Sequence, residues 1–417
     1  MPPPTITSAD PLPAAVHPFV TEQNWSRRVA LLLNIGHAID HMFLLIFATA
    51  VGAIAAEFGF ARWEDLLPFG VGAFVMFGLG SLPAGRLGDL WGRRRMMLLF
   101  FFGMGVSALL AALARDAWEL AGVLTLLGIF ASIYHPVGIP MLLQTTDKPG
   151  AVIGINGLAG NLGIAVAALS TGLMVQWLGW RSAFAVPGLL SIGCGLAFAR
   201  WCPHELSAPA KRVNKARVTL PPALLARVFG VMTAASVTGS LLFNFTTNGN
   251  AQLLNERFRG IVEDPAVLGL MLAVVYALAS LAQVVVGRLI DRVPMKPLYL
   301  CIVLIQIPLL ALASQASGWW LLGLLLAVMV FIFGAIPFTD AMIVRYVDDR
   351  IRSRVAGARL SVSIGISSLA VWLLGPFVKA SGFGALFLCM AVIAVCTLAV
   401  VGFLPDERKV APAAQPS

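Results

Sequence analysis

The sequence predicts an all-α polytopic membrane protein of about twelve transmembrane helices, built as two six-helix pseudo-repeats. Three observations predict it. Hydrophobic residues make up 59% of the 417-residue chain and charged residues 12%, more apolar surface than a soluble protein can cover with polar groups. The apolar residues fall in blocks of about 20, the length at which a helix crosses a hydrocarbon core of roughly 30 Å. Short motifs of the first half also return in the second. An outer-membrane barrel would show short alternating segments instead.

Residues 1–26 are polar and proline-rich and lack the basic-then-apolar pattern of a signal peptide, so they read as a disordered tail. The first bundle, 27–200, holds spans near 28–54, 66–86, 96–114, 118–143, 151–177 and 181–200. A basic, proline-containing linker covers 201–224. The second bundle, 225–404, holds spans near 225–249, 265–287, 297–314, 318–344, 354–377 and 382–404, and a tail covers 405–417. Gly, Pro and charge mark the breaks. With both termini in the cytoplasm, all but six of the 29 Lys and Arg lie on that side; the exceptions are Arg62, Arg115, Arg181, Arg257, Arg259 and Lys379. The halves echo one another. GRLGD at 85–89 returns as GRLID at 287–291, and Phe130, Pro136, Met141 and Asp147 match Phe331, Pro337, Met342 and Asp348 at one offset.

Several function classes fall away. The net charge of +9 sits in the breaks between spans, which excludes a nucleic-acid surface. The five cysteines lie mostly inside apolar blocks, with neither a disulfide framework nor metal-type CxxC spacing. No GxxxxGK[ST] loop is present, so ATP does not drive the protein. No cofactor motif or nucleophile–base constellation marks an enzyme, and no cofactor is expected.

The informative stretch is NIGHAIDHMF, 34–43. Helical steps of three and four residues place His37, Asp40 and His41 within an arc of roughly 100°. His37 lies about 15 Å into its span, near the bilayer midplane. Facing lipid there would cost several kcal/mol, so the arc must face other helices or a water-filled cavity. An imidazole beside a carboxylate suits proton coupling or substrate binding; the alternative is a hydrogen-bonded cluster that fixes helix packing. Tyr134 and His135 precede Pro136 and Pro140, which remove helical donors inside the membrane. Such a segment either meets substrate or simply bends the helix.

Weaker signals follow. Ser236, Ser240, Asn244 and Asn248 recur every four residues and form a polar stripe, expected on the cavity wall of the second half. Gly154, Gly157, Gly160 and Gly163, with Asn156 and Asn161, read as a close-packing face. Asp340, Arg345 and Arg359 are expected in an ion-pair network at the cytoplasmic gate.

GRLGDLWGRRR, 85–95, resembles the loop signature between spans two and three of the major facilitator superfamily. Gly85, Asp89, Gly92, Arg93 and Arg94 match; Leu90 replaces a basic residue. The second copy keeps Asp291 and Arg292 but has Pro294 for the second glycine. The resemblance implies that Asp89 sits near the N-terminus of the eleventh helix in the outward-open state, where the helix dipole favours a carboxylate. Within the superfamily the chain resembles the fosmidomycin-resistance-like transporters in its early His37, in Tyr134-His135-Pro136 and in GNLG at 160–163. It departs from drug/proton antiporters in two places: no Arg lies between Glu119 and His135, and Ala167-Ala168 stands where a Gly-Pro is common.

The resemblance implies a secondary transporter of the bacterial inner membrane, usually monomeric, that moves a small solute by alternating access with proton coupling, with export slightly ahead of import by proton symport. A third expectation is a transition-metal carrier, in which His37, His41 and His135, with Met42 and Met141, offer ligands.

Overall fold

A computed structural model describes residues 27–143, 149–203, 222–346 and 349–405, and among these every regular element is a helix. α1 spans Arg27–Glu57, α2 Trp63–Trp91, α3 Arg93–Leu113, α4 Ala117–Leu143, α5 Pro149–Trp177 and α6 Trp180–Trp201. α7 spans Pro222–Arg257, α8 Pro265–Ile290, α9 Met295–Ala313 and α10 Gly318–Tyr346. The last helical run, Asp349–Gly402, has 54 residues. At 1.5 Å per residue it would measure about 80 Å, more than twice a hydrocarbon core. Gly382, at φ 75° and ψ 170°, breaks it into α11 (349–381) and α12 (383–402). Among the described residues twelve spans result, as the hydropathy blocks predict.

Only glycine adopts that backbone region cheaply. Gly382→Ala is therefore expected to cost about 1–3 kcal/mol, read as a lower melting temperature of the purified protein in detergent. Gly365→Ala is the control, because its added Cβ meets nothing within 4 Å.

Helix starts follow their local chemistry. Asp116 accepts from the N–H groups of Trp118 and Glu119 at 2.8 and 2.9 Å and caps α4. Asp264 accepts from Ala266 and Val267 at 2.8 and 3.1 Å and caps α8. The Gln176 amide and these N–H groups hold the Asp264 carboxyl below its ordinary range. Gly92, at φ 93°, turns the chain from α2 into α3.

Each half pairs its helices in one pattern. α1 packs on α5, α2 on α4 and α3 on α6; in the second half α7 packs on α11, α8 on α10, and α9 on the Asp349–Gly402 run. The exposed surface carries leucines such as Leu79, Leu189, Leu196, Leu270 and Leu281, as lipid contact requires. Trp118, Trp177, Trp319 and Trp320, at helix ends, form part of an interfacial belt. All five cysteines are free thiols.

The halves meet along α5–α8 and α2–α11. A Cβ on Gly172 would lie 2.4 Å from the Pro265 carbonyl oxygen, and one on Gly375 would lie 2.3 Å from that of Glu64. Glycine at these positions lets the backbones touch. The end of the molecule away from Arg27 and Leu404 is further tied by Lys379 to Asp65 at 2.5 Å, by Trp63 stacked on Phe383, and by the Gln176 amide donating to Asp264 at 2.8 Å. We call this the far end.

Candidate functional site

α1 delivers His37, Asp40 and His41 to the interior. His37 is 5% exposed and Asp40 is fully buried, while His41 is half-buried. α4 delivers Tyr134 and His135. Residues Tyr134–Gly138 form a π-helical turn, the local result of Pro136 inside a helix. This turn aims both Tyr134 and His135 at α1. The rings of His37 and Tyr134 stack at 4.8 Å, and those of His37 and His135 meet edge-on at 5.0 Å.

α5 closes the site. His37 Nδ1 lies 2.7 Å from the backbone carbonyl oxygen of Asn156. A carbonyl can only accept, so Nδ1 carries the proton. The Nε2 of neutral His37 is then an acceptor, and the Nε2–H of His41, 3.1 Å away, donates to it. An extra proton on His37 would force His41 to the other tautomer. The Asn156 side chain donates to the Tyr134 hydroxyl at 2.7 Å and to the Asn34 Oδ1 at 3.0 Å, and the Tyr134 hydroxyl donates to the Leu33 carbonyl at 2.7 Å. Asn156 thus orients both rings. It was legible in the sequence only as a companion of the packing glycines.

Those glycines divide. A Cβ on Gly160 would come within 2.7 Å of the His37 ring, and one on Gly163 within 2.1 Å of the Ala38 carbonyl oxygen. Gly157 faces the Gln283 side chain at 3.4 Å across the two halves, and Gly154 faces nothing within 4 Å. Two of the four therefore set the α1–α5 approach.

Asp40 is the anomaly. Neither carboxyl oxygen has a hydrogen-bond partner among the described residues. The nearest group of opposite potential charge is His135 Nε2, 3.6 Å from Oδ2. A carboxyl buried this way costs about 1–3 kcal/mol or more, and such a cost persists where function needs the group. From α11, the charge of Arg359 is felt at His135, weakly beside the effects of burial and of His37 and His41.

Asn244 and Asn248 stay apart from this cluster. Both are buried, and their amides donate to the carbonyls one turn back, Ser240 and Asn244, at 2.9 and 3.0 Å. Asn248 Oδ1 has no partner among the described residues. Ser240 hydrogen-bonds Ser363, so this part of the stripe holds α7 to α11.

The loop motif also has definite contacts. Arg94 donates to the Cys202 and Ala199 carbonyl oxygens at 2.9 and 2.8 Å, a cation on the C-terminal end of α6. A Cβ on Gly85 would stand 3.2 Å from Pro136 and one on Gly88 3.0 Å from Val137, so the motif's helix lies directly on the π turn. Asp89, Asp291 and Arg292 are exposed, and Arg93 is half-buried. The side chains of Asp340 and Arg345 lie outside the described residues, as do Asp147, Asp348 and the linker between 204 and 221.

Comparison with known proteins agrees with this architecture. The chain is 23% identical over 384 residues to the multidrug resistance protein MdtG of an Escherichia coli strain, covering 89% of this chain and 92% of that one. It is 30% identical over 155 residues to the puromycin resistance protein pur8 of Streptomyces alboniger, a match spanning 36% of this chain and 30% of that relative. Among solved structures, a D-xylose-proton symporter superposes with a TM-score of 0.70 at 16% identity, covering 92% of this chain and 98% of that one. A bacterial homologue of the human lysosomal transporter Spinster, inward-facing and unoccupied, superposes at 0.67 with 14% identity, covering 92% and 95%. The family profile matches residues 33–255 and again 254–417, once for each half. The chain is a multi-pass membrane transporter, not an enzyme, and belongs to the Major Facilitator Superfamily.

Proposed function

We propose that this transporter couples the movement of a small solute to protons at the cluster of Asp40, His37, His41 and His135. The carrying observation is the fully buried Asp40 carboxyl, without a hydrogen bond and 3.6 Å from His135. Left charged and alone it is costly; protonated, or paired with an imidazolium, it is tolerated. His135, its neighbour, is ringed in turn by His37 and His41 on α1 and by Tyr134 on α4, and feels the charge of Arg359 on α11. A proton entering this set changes the net charge between the halves, which biases which end opens.

In this reading the chain termini are cytoplasmic and the far end faces outward in the bacterial inner membrane. The far end is shut here by Lys379–Asp65 and Trp63–Phe383, so the half-buried His41 and His135 are reached from the cytoplasmic side. Residues 27–200 and 225–404 rock as two bundles about the α5–α8 contact. Asp89 engages the start of α11 in the opposite state, and Asp340, Arg345 and Arg359 close the cytoplasmic end. The transporter works as a monomer. Asn244 and Asn248 form the second-half wall of the substrate path. Kinship with the fosmidomycin-resistance-like group is supported by convergence in space: Tyr134 stacks on His37, and the first glycine of GNLG makes room for the His37 ring.

Export is favoured over symport by the names of the sequence relatives, which are resistance proteins. The test is growth of an efflux-deficient bacterium expressing the protein, across a panel of small toxic compounds that includes fosmidomycin. Raised tolerance that vanishes with Asp40→Asn is expected. Tolerance that is unchanged, or new sensitivity, points to an importer and removes the export reading.

A further inference from the structure

The same cluster has the composition and spacing of a metal-ion site. One ring nitrogen from each of His37, His41 and His135 lies within 4.8 Å of the other two. His37 Nε2 and His41 Nε2 are 3.1 Å apart. Two nitrogens on a tetrahedral ion with bonds of 2.0–2.1 Å stand about 3.3 Å apart, so this pair needs almost no movement once the His41 proton passes from Nε2 to Nδ1. The His135 nitrogen must swing inward by about 1–1.5 Å, and its partly exposed ring has the freedom to do so.

A second observation is independent of that spacing. His37 already donates Nδ1–H to the Asn156 carbonyl, which fixes the tautomer that presents Nε2 as a ligand; metal-binding histidines are held this way. Asp40, fully buried and without a hydrogen bond, supplies the carboxylate that three neutral imidazoles lack. At 3.6 Å from His135 Nε2 it stands where it either binds the ion or accepts from the ring. With one divalent ion the set carries a net charge of +1, against +2 without Asp40.

We infer that His37, His41 and His135, with Asp40, bind a divalent first-row transition-metal ion, and that this ion is a cargo of the transporter. Imidazole and carboxylate donors suit Zn²⁺, Co²⁺ and Ni²⁺, and no cysteine is among them. The inference rests on the proton-coupled reading above and narrows its substrate class.

The test uses the full-length protein purified in detergent, with Co²⁺ alone as the probe. Wild type is expected to bind one Co²⁺ per chain, develop the visible absorption of a tetrahedral nitrogen-ligated ion, and lose it when Zn²⁺ is added. His41→Gln, His135→Gln and Asp40→Asn are expected to weaken binding about 10–100-fold, with unchanged elution and melting confirming that each is folded. Proteoliposomes loaded on one side should then move Co²⁺ when a pH gradient is imposed. Wild type that binds no Co²⁺ overturns the inference, and the proton-coupled reading survives if Asp40-dependent tolerance to organic compounds remains. Co²⁺ that binds but never crosses the bilayer overturns the cargo assignment. Co²⁺ flux indifferent to the pH gradient upholds the metal cargo and removes proton coupling.

Discussion

Asp40→Asn is expected to abolish gradient-driven transport while leaving the protein folded, inserted and at least as stable as wild type. The two halves of this result have one cause. The carboxyl is fully buried and has no donor to satisfy it among the described residues. Replacing it with a neutral amide of the same shape removes the cost of burying a charge but leaves a polar group as unpaired as before, so the melting temperature in detergent should hold or rise. Coupling should fail because no carboxylate remains to share a proton with His135. A proton crossing 100 mV carries about 2.3 kcal/mol, equivalent to a solute gradient of about 50-fold. That gradient is what the variant should lose in proteoliposomes. Full accumulation by the variant at matched protein content would mean that the cluster serves packing alone. His41→Ala should behave in the same way, because it removes the donor to His37 Nε2 without emptying a tightly packed space.

Gly163→Ala should do the reverse and destabilise the first bundle. Its Cβ would lie 2.1 Å from the Ala38 carbonyl oxygen and 2.7 Å from the Ala38 Cα. Those atoms are backbone, and they belong to the helix that carries the histidines, so no rotamer change relieves the overlap. Overpacking of this kind costs about 1–3 kcal/mol and sometimes more. Gly154→Ala, nine residues earlier on the same helix, meets open space and should be neutral or stabilising by up to about 1 kcal/mol. Thermal melts of the two variants side by side check this. Equal melting temperatures would show that α1 and α5 can separate without penalty.

The fold was legible in the sequence because its determinants are local and periodic. Blocks of about 20 apolar residues specify spans whatever their neighbours. The Lys and Arg of the short connections mark sides. Gly382 opens the last of the spans that the hydropathy pattern places, next to the predicted break, although helical hydrogen bonding runs on through the turn. The first half of the site was legible for a similar reason, since His37, Asp40 and His41 share one helix and their arc follows from 3.6 residues per turn. The rest depends on how helices meet. Nothing local distinguishes Gly160, which makes room for the His37 ring, from Gly154, which faces open space. The role of Asn156 comes partly through its main-chain carbonyl, which no side-chain pattern reports. The asparagine stripe of α7 shows another limit: its spacing does not report that each amide donates to the carbonyl one turn back, an acceptor that a turn of four residues brings within reach.

The Gly85 contact has a mechanical consequence. With no side chain at Gly85 and Gly88, α2 rests on Pro136 and Val137 with no compressible padding between them. Those two residues belong to the same short turn that holds Tyr134 and His135. A tilt of α2 that rearranges the basic loop at one membrane face must therefore push on the imidazole near the midplane, with little lost motion. A carrier wired in this way would not need to sense its proton and its gate separately. It would also leak if slack were introduced at this joint: a variant that loosens it should let the gate cycle while the histidines lag, dissipating the gradient without moving cargo.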